Sequence, residues 1–233
     1  MEQFNTELIQ SIGYFIPEIA LTILLVVAIF TEVIVKKFQL ATGYLSIVGY
    51  LIVGGFILAG DNTNATAFSS TLATDSFANF FKLIILAGSI IATLMTFNSK
   101  ELREGANSIG EFYILLIGMT IGMFLLASAN NLLMIYLAFE TMSICSYVLA
   151  GYTKEVRRAS EASLKYVIYG SLASGIMIYG ISLIFGLTGT LDLAGINQQL
   201  QLSTGGNELA LITAIILIFA GIAYKISAVP FHF

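Results

Sequence analysis

The chain has 233 residues, 58% of them hydrophobic and 10% charged, with a net charge of -4 and a mean hydropathy of +0.91. A water-facing domain carries about 25% charged residues, so this chain lacks the polar groups to coat one, and its apolar content also excludes intrinsic disorder. Ten Lys and Arg against fourteen Asp and Glu leave no basic footprint for nucleic acid, while one cysteine and one histidine exclude a disulfide framework, a CxxC zinc site and a bis-histidine haem.

An all-α, polytopic membrane bundle of about seven spans remains. A hydrocarbon core about 30 Å thick needs roughly 20 apolar residues in helix, because unsatisfied backbone groups cannot face lipid. Seven stretches qualify, at about 14–35, 41–60, 77–97, 112–128, 131–151, 161–187 and 209–229. No basic residue precedes the first and its apolar run is long, so it is not a cleavable signal peptide. Period-two alternation, the mark of a barrel strand, is missing.

Charge orders the connections. Lys36 and Lys37 follow span one, Lys100 and Arg103 follow span three, and Lys154, Arg157 and Arg158 follow span five. The N-terminal segment and the connections after spans two, four and six contain no Lys or Arg. This alternation predicts an N-terminus outside and basic loops in the cytoplasm. It also requires a break at Asn130-Asn131, since one merged helix there would put later basic loops on the wrong side. Residues 61–75 and 188–208 read as outside loops, the second with a short amphipathic stretch near 191–200. Gly118 and Gly122 in span four, and Gly170, Ser171, Ser174 and Gly175 in span six, read as close-packing faces. The whole of 1–233 reads as one membrane domain, with three N-terminal helices over 14–97 and a helical repeat over 111–233.

Ionisable groups inside the spans point to function, because an uncompensated charge at mid-bilayer costs at least about 2.5–3.5 kcal/mol. Glu140 lies in the middle of span five, too far from either end to snorkel. It is either a protonated structural glutamate or a titratable carboxyl whose proton affinity follows a nearby cation, and we favour the second. Lys225 lies deep in span seven, five residues before Pro230, which interrupts the helix; broken helices at membrane depth commonly mark ion sites. Lys165 stands four residues after Glu161 as an ordinary helix pair, yet within reach of a carboxyl on span five. Lys82 reads as snorkelling, and Glu18 and Glu32 as interfacial. His232 is a weaker candidate for passing protons to bulk water. Carboxyl and lysines at membrane depth, without a nucleophile, metal cluster or phosphate loop, suggest charge movement driven from elsewhere. The chain is then one subunit of a larger machine.

The segments Asn130-Asn-Leu-Leu-Met-Ile-Tyr136 running into Glu140 and Ser146-Tyr-Val-Leu-Ala-Gly-Tyr152 resemble the antiporter-like membrane subunits of NADH:quinone oxidoreductase, respiratory complex I. Glu161-Ala-Ser-Leu-Lys165-Tyr-Val-Ile-Tyr-Gly170 and the run from Tyr179 to Thr190 resemble the subunit N type, subunit 2 in mitochondria. Lys225 followed by Pro230-Phe-His-Phe233 is similar to a signature shared with Mrp-type cation/proton antiporters. The resemblance implies that Glu140, Lys225 and Lys165 transfer protons along a charged axis, coupled to quinone reduction. It implies no cofactor in this chain, with NADH, flavin, iron–sulfur clusters and quinone held by partner subunits. The partners implied are the bilayer, a neighbouring antiporter-like subunit and small subunits with buried carboxylates. The location implied is a bacterial inner membrane. The alternative is a subunit of an Mrp-type antiporter or a membrane-bound hydrogenase. Because such subunits continue well past the residue matching Phe233, the expectation is an incomplete antiporter-like fold, inactive alone.

Overall fold

The computed structural model describes residues 2–34, 40–60, 65–99, 109–153, 156–202 and 207–231. Its elements in chain order are α1 (Glu2–Tyr14), α2 (Ile16–Ile34), α3 (Ala41–Ala59), β1 (Ala65–Ala67), β2 (Leu72–Thr74), α4 (Ser76–Phe97), α5 (Ile109–Ser128), α6 (Leu132–Ala150), α7 (Arg157–Thr188), α8 (Leu193–Leu202) and α9 (Glu208–Lys225). Seven of these helices, α2 to α7 and α9, are long and apolar enough to cross a membrane, and they match the seven expected spans.

Local chemistry sets the boundaries. Pro17 falls in the first turn of α2, where its missing N–H removes no helical bond. Asp75 caps α4 by accepting from the Ala78 amide at 2.6 Å, and Asn131 caps α6 by accepting from the Leu133 amide at 2.9 Å. The break required at Asn130-Asn131 is therefore present. Helix α7 ends at Gly189, whose φ of 71° is the left-handed conformation that glycine adopts without strain.

One end of the bundle, here termed the hairpin side, is tied by backbone bonds. The described part of the loop between α3 and α4 contains an antiparallel pairing of β1 and β2. Asn130 donates from its amide to the Thr71 carbonyl and from Nδ2 to the Ser70 carbonyl, each at 3.0 Å, and from Nδ2 to Asp192 Oδ1 at 3.3 Å. The Leu132 amide bonds the Leu191 carbonyl at 3.0 Å. The hairpin and the links α5–α6 and α7–α8 thus meet at Asn130. Helix α8 realises the amphipathic stretch expected near 191–200. Helix α1 was not expected; it docks on the hairpin through the Phe68 amide bonded to Ser11 Oγ at 3.2 Å, and Phe15, between α1 and α2, adds an edge contact with Phe68.

The core lies between α2, α3, α4 and α5: Leu21, Leu24, Ala28, Tyr50, Val53, Ile57, Leu86, Ile117 and Phe124. Helix α6 packs on α5 and α7, and α9 packs on α7. Small residues let these backbones touch. A Cβ at Gly122 would come within 3.0 Å of the Met142 nitrogen and 3.1 Å of the Ala138 oxygen on α6. A Cβ at Gly180 would stand 2.8 Å from the Ala214 oxygen on α9.

Candidate functional site

The site is built where α6, α7 and α9 meet. Glu140 lies eight residues into α6, about 12 Å along its axis at 1.5 Å per residue, so it sits near mid-span. Ser143 and Tyr147 follow it at i+3 and i+7 and share its face of the helix. Ser174 reaches the same point from α7, and Lys225 from the last turn of α9.

Lys225 Nζ stands 3.3 Å from Glu140 Oε1, and donates to Ser143 Oγ at 2.5 Å and to Tyr147 Oη at 3.5 Å. Ser174 Oγ donates to the same Glu140 oxygen. The Lys225 side chain is 6% exposed and that of Glu140 26%, so the cation is enclosed and the carboxylate half-open. Tyr147 stacks edge-on against Tyr166, with ring centroids 4.7 Å apart, and the Ser146 hydroxyl bonds Tyr166 Oη at 3.3 Å. The Tyr224 hydroxyl, next in sequence to Lys225, is buried without a partner among the described residues. The ion pair is thus surrounded by hydroxyls that both accept and donate. Such groups stabilise the charged pair and can also satisfy either partner once it is neutral.

Lys225 is held at a helix terminus. Regular α9 stops there, five residues before Pro230 and short of the expected end at 229. The Ala228 amide bonds the Ala223 carbonyl at 2.8 Å and the Ser227 amide the Tyr224 carbonyl at 3.0 Å, with Ser227 at φ 53°. This is a Schellman closure in which serine occupies the left-handed position usually given to glycine. A cation in the last turn also meets the negative end of the helix dipole.

Glu140 and Lys225, picked out separately in the sequence, are therefore in contact. Lys165 is not joined to them: its Nζ pairs with Glu161 Oε1 at 2.6 Å, and both side chains are at least half exposed. His232 lies outside the described residues. Ser143, Tyr147 and Ser174 were missed as site residues. The i+3 and i+7 spacing from Glu140 marks the first two, whereas Ser174 was read only as a packing residue.

One further reading is corrected and one is extended. Lys82 does not snorkel, and Glu18, in the first turn of α2, is buried against it. They form an ion pair of 2.6 Å with side chains 1% and 2% exposed, reaching one another from α2 and α4, which both pack on α3 and α5. Glu32, near the other end of α2, accepts from Thr42 Oγ1 at 2.9 Å.

Comparison with known proteins bears on this site directly. Residues 129–233, which contain every residue of it, match the family described as NADH:quinone oxidoreductase/Mrp antiporter, transmembrane. The chain is 39% identical over 225 residues to NADH-quinone oxidoreductase subunit N of Chlorobium chlorochromatii, covering 96% of this chain and 44% of that protein. It is 35% identical over 232 residues to F(420)H(2) dehydrogenase subunit N of Methanosarcina mazei, covering 96% and 46%. Its fold superposes on a chain of respiratory complex I from Thermus thermophilus with a TM-score of 0.74 at 24% identity, over 93% of this chain and 45% of that one. The chain spans a little under half the length of the relatives it matches. With its seven spans and a buried carboxyl–lysine pair in the matched segment, the chain is similar over nearly its whole length to NADH-quinone oxidoreductase subunit N, and over 129–233 to the NADH:quinone oxidoreductase/Mrp antiporter family.

Proposed function

We propose that the protein to which this chain contributes is a proton-translocating subunit in the membrane arm of a quinone-reducing oxidoreductase, with Glu140 and Lys225 as its proton-transfer pair. The observation that carries this reading is the 3.3 Å contact between a mid-span carboxyl and a lysine held at a helix break, inside a ring of hydroxyls. While Lys225 is protonated and close, it stabilises the Glu140 carboxylate. When its charge moves away or is lost, the proton affinity of Glu140 rises and the carboxyl takes up a proton. Return of the cation expels it. Moving a charge through the membrane field costs about 2.3 kcal/mol per 100 mV, so the cycle requires an external source. In this reading electron transfer in partner subunits supplies it; those subunits hold the electron donor, flavin, iron–sulfur clusters and quinone, and this chain performs no redox step.

The neighbours in this reading are another antiporter-like subunit and small carboxylate-bearing membrane subunits, in a bacterial inner membrane. The basic connections face the cytoplasm and the hairpin side faces outward. Lys165 is the candidate for carrying charge onward, since its exposed pairing with Glu161 leaves it open to a neighbouring element. The Mrp-type reading has less support, because relatives matching along the whole chain are named as subunit N.

The test is Glu140→Gln in the full-length subunit within its assembled complex. Donor-driven proton uptake by inverted membrane vesicles falls by about tenfold or more, which corresponds to at least about 1.4 kcal/mol on the limiting barrier. Unchanged pumping and quinone reduction in a fully assembled variant would make Glu140 a structural residue.

A further inference from the structure

The three N-terminal spans contain a second ionisable site with its own access. Glu18 and Lys82 are each 1% exposed, and the pair is far from α9: α5 lies between, packed against α2, α3 and α4 on one flank and α6 on the other. Lys82 Nζ holds Glu18 Oε1 at 2.6 Å and stands 5.8 Å from the Phe124 ring centroid. The second carboxylate oxygen, Oε2, is buried and accepts no hydrogen bond from the described residues. A pair built only to lock two helices would satisfy both oxygens, since an unsatisfied oxygen of a buried charged group costs roughly 1–3 kcal/mol or more.

A cleft reaches one member of the pair, Lys82. This cleft, of about 450 Å³, opens at the hairpin end of the bundle, between the ends of α1, α2, α3 and α4. Its rim is formed by exposed Gln10, Gly13, Phe56 and Gly60, and it descends to buried Ile57 and Lys82. Tyr14, Thr74 and Asn79 add polar groups to its otherwise largely apolar walls, and its volume exceeds what one water molecule needs. Pro17, the residue before Glu18, lines it as well.

We propose that Glu18–Lys82 is a second proton-exchange site, reached from the hairpin side through this cleft and independent of the Glu140–Lys225 reading. Lys82 passes a proton from Nζ to Glu18 and regains one from a hydronium ion in the cleft. The net step turns the carboxylate and hydronium into carboxylic acid and water, with Lys82 unchanged. Among the described residues that line the cleft, Lys82 and Tyr14 are the titratable ones; α3 contributes Phe56 and Ile57 and α4 Asn79 to its wall, and α5 places Phe124 beside Lys82.

The test uses the full-length subunit in its assembled complex, in membranes. Infrared difference spectra between high and low pH are expected to show a carboxylic-acid stretch that disappears in Glu18→Gln and shifts within seconds of exchange into D2O. A second measurement leaves the pair intact: Asn79→Cys, in a subunit whose other cysteines, Cys145 included, are replaced by serine, is labelled by a membrane-impermeant maleimide added from the hairpin side. Absence of a pH-dependent band lost in Glu18→Gln, or a band that does not shift in D2O, overturns the proposal. An unlabelled Asn79→Cys also overturns it and leaves the pair a sealed helix lock, whatever the fate of the Glu18→Gln variant.

Discussion

The two ion pairs divide the molecule into regions that handle buried charge differently. In the region of α2, α3 and α4, Glu18 and Lys82 are buried beside the apolar core, with Lys82 at the foot of the cleft and its Nζ 5.8 Å from the Phe124 ring centroid. In the α6–α7–α9 region, Lys225 is shared among Glu140, Ser143 and Tyr147, Glu140 has a second donor in Ser174, and the carboxylate is a quarter exposed. The first pair depends on a single partner. The second has protein hydroxyls that can substitute for either partner, whereas in the proposed exchange at the first pair that part falls to water in the cleft beside Lys82.

This difference predicts a large gap in stability between equivalent deletions. Lys82→Ala strands a buried carboxylate, a loss worth about 3–5 kcal/mol. The measurement is thermal unfolding of the detergent-solubilised full-length subunit, or its yield in the assembled complex. Replacing both partners, Glu18→Leu with Lys82→Met, removes both charges and recovers most of that loss, since buried ion pairs often gain little over apolar residues of similar size. A double variant as unstable as the single one would mean that the loss comes from the missing ion pair itself and not from a stranded carboxylate.

Lys225→Ala has the opposite balance. Glu140 keeps the Ser174 hydroxyl and partial exposure, so assembly survives. Coupled turnover instead falls by about tenfold, a barrier increase near 1.4 kcal/mol. The contrast is sharpest when both variants are measured side by side: Lys82→Ala lowers the amount of complex, and Lys225→Ala lowers the activity per complex. Full activity in an assembled Lys225→Ala complex would remove this lysine from proton transfer.

Much of this arrangement was legible along the chain because it is written in local terms. Hydropathy located the seven spans, and alternation of basic loops forced the Asn130-Asn131 break, which the caps and bonds around Asn130 then realise. The depth of Glu140 and the proline after Lys225 marked both residues. The pairings were not legible, since they depend on how helices are rotated and staggered against one another. Lys82 alone is indistinguishable from a snorkelling lysine until α2 places Glu18 beside it. Ser174 is a small residue among small residues until α7 turns it toward Glu140. Helix α1 escaped notice because its contacts are with a hairpin tied down by residues far along the chain.

The smallest expected effect concerns how α9 ends, and it tests whether the site needs its strained terminus. Ser227 holds φ 53° beside the last turn, a conformation that costs a non-glycine residue about 1 kcal/mol or more. Pro230 cannot continue the helix, so the chain must turn near this point whichever residue stands at 227. Ser227→Gly keeps the Schellman bonds from Ala228 and Ser227 to Ala223 and Tyr224 and removes the steric penalty. The full-length subunit is then stabilised by about 1 kcal/mol, read as a higher unfolding midpoint. If the terminus serves only to place Lys225 at the end of α9, coupled turnover is unchanged. If turnover falls while stability rises, the strain at Ser227 is what lets Lys225 leave Glu140, and the break is a moving part of the site.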